Sequence, residues 1–115
     1  NRHYVDRIKI EFLRKPKNTV VLHGVDIRPD IQAIREGRAM RDGPYYVING
    51  RYYEVHEGGT TYPVQGPGFV TLDRGASRAL GIYNSLGETS EAERMLDREG
   101  ISPEQRQAAR NVRAS

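Results

Sequence analysis

The chain predicts an α+β fold: a central antiparallel sheet of four to six short strands, with one helix before it and about three short helices after it. Three observations carry this reading. Asn49-Gly50 lies between two runs of strand-forming residues, which is the strongest short-range hairpin signal. The apolar pattern changes at Asp73 from a period of two to a helical period. The 12 Gly and 6 Pro fall mostly between the periodic segments rather than inside them. Strands grouped in the middle and helices grouped at the end give segregated layers rather than a βαβ alternation.

The elements follow in order. Residues 1–25 are read as a basic N-terminal hairpin. Ile8, Ile10 and Phe12 alternate with Lys9 and Glu11, although Val5, Ile8 and Phe12 also fit a helical stripe. The next segment, Arg14-Lys15-Pro16-Lys17-Asn18, is turn-like, and residues 19–22 are β-branched and apolar. Two strands joined by a basic loop are therefore favoured. Residues 26–43 hold a helix over 26–36. Pro29 suits its first turn, Ile27, Ile31 and Ile34 share a stripe, and Gly37 can cap its end.

Residues 44–72 form the sheet. With Asn49 and Gly50 as a two-residue type I′ loop, Ile48 faces Arg51, Val47 faces Tyr52, Tyr46 faces Tyr53 and Tyr45 faces Glu54. One face then carries Tyr46, Ile48, Tyr53 and Val55, with Arg51 at its end, and reads as core. The other carries Tyr45, Val47, Tyr52, Glu54 and His56. Residues 61–64 form a further strand, where Pro63 signals an edge or a bulge. Gly66-Pro67-Gly68 breaks the chain before a last strand at 69–72. Residues 73–115 are helical. The first stripe is Ala76, Ala79, Leu80, Tyr83 and Leu86, ended by Gly87. Ser90 and Glu93 are read as a capping box for a second helix, and Ser102, Pro103 and Gln105 start a third.

A length of 115 residues fits one domain. The chain has no Cys, which excludes a disulfide framework, a thiolate metal site and a cysteine nucleophile. His3, His23 and His56 have no metal-ligand spacing, no Asp-rich loop is present, and no Gly-x-Ser-x-Gly occurs, so neither a metal nor another cofactor is expected. No apolar run approaches the roughly 18 residues of a membrane span, and no signal peptide is seen. Asn stands at position 1 rather than Met, so the chain is read as a fragment or a processed product. The formal charge of +3 comes from 18 basic residues, 15 of them Arg, against 15 acidic ones. The excess belongs to residues 1–43, with ten basic groups and six acidic, while residues 44–75 carry two and three.

Chemistry concentrates around His56. Glu54 and His56 are two apart on a strand and project to one side. Tyr45 and Tyr52 share that side. A carboxylate, an imidazole and phenols can move protons near neutral pH, and Arg51 or Arg74 could supply a cation to a phosphate. Five of the seven Tyr lie between positions 45 and 62. Tyr46 and Tyr53 read as core, whereas Tyr45, Tyr52 and Tyr62 could stack on unpaired bases. Arg14, Lys15 and Lys17 could contact phosphates from their loop. The same residues also suit a plain solvated face and loop. The helix pair around Gly100-Ile101-Ser102 has the length of a helix-turn-helix but a balanced charge.

The run Tyr52-Tyr53-Glu54-Val55-His56-Glu57-Gly58-Gly59-Thr60-Thr61-Tyr62-Pro63-Val64-Gln65-Gly66-Pro67-Gly68-Phe69 resembles segments of small bacterial toxin-type proteins, among them the C-terminal nuclease domains of polymorphic toxins. The order of helix and antiparallel sheet, over about residues 26–75, also resembles the barnase/RelE-like ribonuclease class. The resemblance implies metal-independent cleavage of RNA in a bacterial cytoplasm, with Glu54, His56, Arg51 or Arg74, and Tyr62 in catalytic roles. It implies RNA as substrate and a cognate immunity or antitoxin protein as partner. The N-terminal hairpin and the C-terminal helices depart from the small members of the class. Two other readings stand beside it: a non-enzymatic protein-binding module using the Tyr-rich sheet face, and an ADP-ribosylating or NAD-cleaving toxin domain. A homo-oligomer is compatible with each. A nucleic-acid reading requires the basic N-terminal third to fold beside the aromatic hairpin.

Overall fold

The computed structural model describes residues 3–8 and 17–115. Its elements are β1 (Lys17–Val21), α1 (Arg28–Arg35), β2 (Met40–Asp42), β3 (Tyr45–Ile48), β4 (Arg51–Val55), β5 (Thr61–Gln65), β6 (Phe69–Asp73), α2 (Arg74–Leu86), α3 (Ser90–Arg98) and α4 (Pro103–Arg113). The fold is α+β with antiparallel sheets, α1 ahead of the larger sheet and three helices after β6. The strands make two sheets rather than one: β1 pairs with β6, and β2-β3-β4-β5 lie side by side.

The hairpin register is the one that Asn49-Gly50 dictates. Tyr45 pairs with Glu54, Tyr46 with Tyr53, Val47 with Tyr52 and Ile48 with Arg51. Asn49 and Gly50 take φ of 55° and 75°, the left-handed pair of a type I′ turn. Pro63 sits in a strand whose register slips by one residue at Tyr52/Tyr53, so it falls beside a bulge. That is where a residue without an N–H costs least.

Three expectations are corrected. The region 26–43 is not only a helix, because Met40–Asp42 adds an edge strand to the hairpin. It is three residues long, exposed at each position and carries Arg41 and Asp42, so it has no apolar alternation to announce it. In the N-terminal third, β1 pairs with the distant β6, and Val5–Arg7, ahead of the expected first strand, is a 3-10 turn. Residues 9–16, with Ile10, Phe12, Arg14 and Lys15, lie outside the described residues. Lys17 belongs to β1 rather than to a basic loop. Finally, α3 is capped by Thr89, whose hydroxyl accepts from the Ala92 N–H, and Ser90 is the first helical residue. The capping box of α4 forms as expected between Ser102 and Gln105.

Two apolar cores stabilise these layers. Val20 and Leu72 pack on the helices through Ala76, Ala79, Leu80, Tyr83, Leu96 and Val112. The second core joins Ile27 and Ile34 of the α1 region to Tyr53, Val21 and Phe69. Tyr53 is fully buried, and its ring meets Phe69 edge-on at 5.7 Å. The helices thus cover one side of the ribbon and α1 covers one side of the larger sheet. The molecule is elongated, 48 × 25 × 21 Å.

Gly66 fixes how β5 turns into β6. Its φ is +139°, and a Cβ there would lie 2.7 Å from Arg51 Cα and 2.8 Å from the Gly50 carbonyl oxygen. Both are backbone atoms of the hairpin and cannot swing aside. Gly66→Ala is expected to cost at least about 2 kcal/mol from dihedral strain and overpacking, read as a lowered urea midpoint.

Candidate functional site

Strand alternation and register build two cross-strand rows on the face of the larger sheet opposite α1. The first row is Asp42, Tyr45, Glu54 and Tyr62, one residue from each strand. The second is Met40, Val47, Tyr52 and Gln65. Tyr45, Tyr52 and Tyr62 are half-buried on this face, and Met40 is 74% exposed. The face carries the aromatic groups that the sequence pointed to, and α1 leaves it open by packing on Tyr46, Ile48, Tyr53 and Val55 instead.

His56 lies just past β4, fixed by its backbone: its N–H donates to the Thr60 carbonyl at 2.9 Å, and its carbonyl accepts from the Gly59 N–H at 2.9 Å. Its Nε2 is hydrogen-bonded to Glu54 Oε2 at 3.0 Å, with the two side chains 48% and 40% exposed. The Tyr62 ring packs against the imidazole with centroids 4.4 Å apart. Tyr62 in turn receives the His3 ring edge-on at 5.7 Å. The structure therefore brings together His56, Glu54 and Tyr62 as expected, and adds His3, which the sequence reading left aside. His3 arrives from far along the chain, because its carbonyl accepts from the Val21 N–H at 2.7 Å and Tyr4 bridges β1 in parallel. No local motif announces such a contact.

Farther along the same face, Tyr45 and Tyr52 meet edge-to-face at 5.9 Å. They line a hollow of about 330 Å³ together with Asp42, Pro44, Val64 and Gln65.

Arg51 is not brought to this face. Its Nη1 donates to Asp30 Oδ2 at 2.9 Å and its Nε donates to the Pro67 carbonyl at 2.7 Å, both on the α1 side. Asp30 is 1% exposed and also accepts from Asn49 Nδ2 at 2.6 Å and from the Tyr53 hydroxyl. Burial, helped by donation to Asp30, pushes the Tyr53 phenol well above its ordinary range and keeps it a donor. Arg51 is thus a structural cation that ties α1 to the hairpin turn and to the β5–β6 turn. Arg74 opens α2 directly after β6, exposed and in the other sheet's layer. Lys17 is exposed on β1, opposite Asp73 in register. It shares a side of β1 with Thr19, whose hydroxyl donates to the Val64 carbonyl of β5 at 3.0 Å. Through His3 and Thr19, the described start of the chain and β1 therefore lie against the β5 edge of the aromatic sheet.

A second concavity, about 510 Å³, lies away from His56 between the N-terminal turn and the β1–α1 loop, with Tyr4, His23, Asp26 and Arg28 on its walls. There His23 Nε2 bonds Asp6 Oδ1 at 2.9 Å, and Nδ1 lies 3.2 Å from the Ser115 carbonyl oxygen. The Asp6 hydrogen bond raises the His23 pKa, against partial burial and the Arg113 charge. A raised pKa means that the stabilisation is complete below the unfolded value, about 6.5, and is lost as pH rises through the folded value. Between pH 6 and pH 8 the urea midpoint of the wild type is expected to fall more than that of His23→Gln.

Among the described residues, no group of three or more His, Asp or Glu is placed to hold a metal ion, and no helix is long and apolar enough to cross a membrane. No family model, curated protein or solved structure matches the chain.

Proposed function

We propose that the open face is the active site of a metal-independent ribonuclease of toxin type, acting on single-stranded RNA. The observation that carries this reading is the hydrogen bond between His56 and Glu54 on a sheet face that no described helix covers, lined by Tyr62, Tyr52 and Tyr45. An imidazole paired with a carboxylate can take the proton of a ribose 2′-hydroxyl, which then attacks the adjacent phosphate. The 5′-oxygen leaves with a proton, and a 2′,3′-cyclic phosphate remains. Phenol rings on the sheet offer stacking to unpaired bases.

The phosphate needs a positive neighbour, since its charge grows in the transition state. With Arg51 turned to Asp30, that role passes to the basic N-terminal third. His3 against Tyr62 and Thr19 against Val64 anchor this third at the Tyr62 side of the face. Lys17 of β1 is an exposed cation on the strand that carries Thr19. Arg14 and Lys15 precede it in the sequence, separated from it by Pro16.

The test is incubation of the protein with total RNA and with tRNA in excess EDTA. Fragments ending in 2′,3′-cyclic phosphate are expected, and cutting should weaken steeply with salt. Intact RNA in the presence of folded protein overturns the reading.

A further inference from the structure

The charge on the open face is uneven in a way that general acid–base chemistry does not require. Its Tyr62 side adjoins His3 and β1, the strand that carries Lys17. Its opposite side carries Asp42, which shares a cross-strand row with Tyr45 and Glu54 and lines the hollow with Tyr52 and Gln65. A carboxylate at that end repels phosphate, so the hollow is unsuited to the RNA backbone. It suits a group that is flat, uncharged and rich in hydrogen-bond donors. A volume of about 330 Å³ is at the small end of ligand sites, which run from about 300 Å³ upward, and leaves room for one base. Because Tyr45 and Tyr52 meet edge-to-face, the contact takes up one face of one ring only, and a base can stack on a face left free.

Resting on the ribonuclease reading of this same face, we propose that the hollow seats one unpaired nucleobase bearing an exocyclic amino group (adenine, cytosine or guanine) and rejects uracil. The warrant is the donor and acceptor inventory. The Asp42 carboxylate only accepts. An exocyclic amino group donates to it, while the Gln65 amide, which can donate or accept, meets the neighbouring ring position. Uracil has one donor at that edge, N3–H, with a carbonyl oxygen on either side. A carboxylate accepting from N3–H lies against those two acceptors, and one placed at O4 has no proton between, so either seating makes the wrong base costly. The chain would then cross the sheet with its phosphate at the His56–Tyr62 side and this base at the Tyr45–Tyr52 side.

The experiment measures anisotropy of dye-labelled tetranucleotides of A, C, G and U, 2′-O-methylated so that they bind without being cut. The wild type is expected to bind the U tetramer at least about tenfold more weakly than the C tetramer. Asp42→Asn, whose amide can also donate, should bring the two within about threefold. Tyr52→Leu should weaken all four. Asp42 is exposed, so its replacement leaves the fold in place. Equal binding of all four by the wild type overturns the proposal, as does an unchanged preference in Asp42→Asn, or no binding at all. Cleavage is read separately on unmodified RNA. Cutting without base preference removes the base seat and keeps the nuclease, whereas the expected preference with uncut RNA removes the nuclease and keeps the seat.

Discussion

Asp30→Ala is expected to destabilise the protein by about 3–5 kcal/mol, the cost of breaking a buried ion pair from one side. A domain of this size is held by roughly 0.05–0.15 kcal/mol per residue, so the loss takes a large fraction of the total. The reason is the number of donors that converge on one carboxylate. Arg51, Asn49 and the Tyr53 hydroxyl all donate to it, and Asp30 is buried at the first turn of α1. Removing it strands a half-buried guanidinium and a buried phenol and unties the hairpin turn from the helix. Asp30→Asn keeps the shape and one acceptor oxygen, and should cost less, about 1–3 kcal/mol. Equilibrium urea unfolding measures both. The decisive comparison is Asp30→Ala in an Arg51→Met background. If the penalty comes from an orphaned cation, it shrinks there. An equal penalty in both backgrounds would mean that Arg51 gains nothing from Asp30.

That cluster also marks the limit of what local sequence could reveal. The hairpin was legible to the residue, because a two-residue Asn-Gly turn admits one register and alternation then assigns every side chain to a face. The faces followed: Tyr53 is buried, and Tyr45 and Tyr52 stand on the open side. The helices after Asp73 were legible from their stripes. The N-terminal third was not. The partner of β1 is β6, some fifty residues away, and no local signal specifies a long-range pairing between two short apolar runs. Edge strand β2 was hidden because three exposed residues carry no period. Asp30 was hidden because an Asp in the first turn of a helix is expected from the helix dipole alone. Its second role depends on where the hairpin turn lands in space. Arg51 shows the converse. Its position on the core face was legible, yet its charge suggested a phosphate ligand, and only the presence of Asp30 on that side assigns it a structural partner.

The same division of faces makes the catalytic reading of His56 separable from stability. His56 and Glu54 are half-exposed and lie outside both cores, so His56→Ala is expected to unfold within about 0.5 kcal/mol of the wild type. If His56 is the acid or base, the same change lowers RNA cleavage by about 10²–10⁴-fold. Because the face is open, added imidazole should diffuse in and restore part of that loss. Glu54→Gln removes the charge that orients the ring and leaves the imidazole in place, so its loss should be smaller and should grow as the demand for a proton acceptor rises. Tyr62→Phe preserves the ring packed between His3 and His56. It should therefore retain activity unless the phenol itself touches the substrate. Arg51→Ala gives the sharpest contrast. It should lower the unfolding midpoint along with Asp30→Ala, while the folded fraction still cuts RNA. Loss of cutting in folded Arg51→Ala, together with unimpaired cutting by His56→Ala, would move the chemistry to the other side of the sheet.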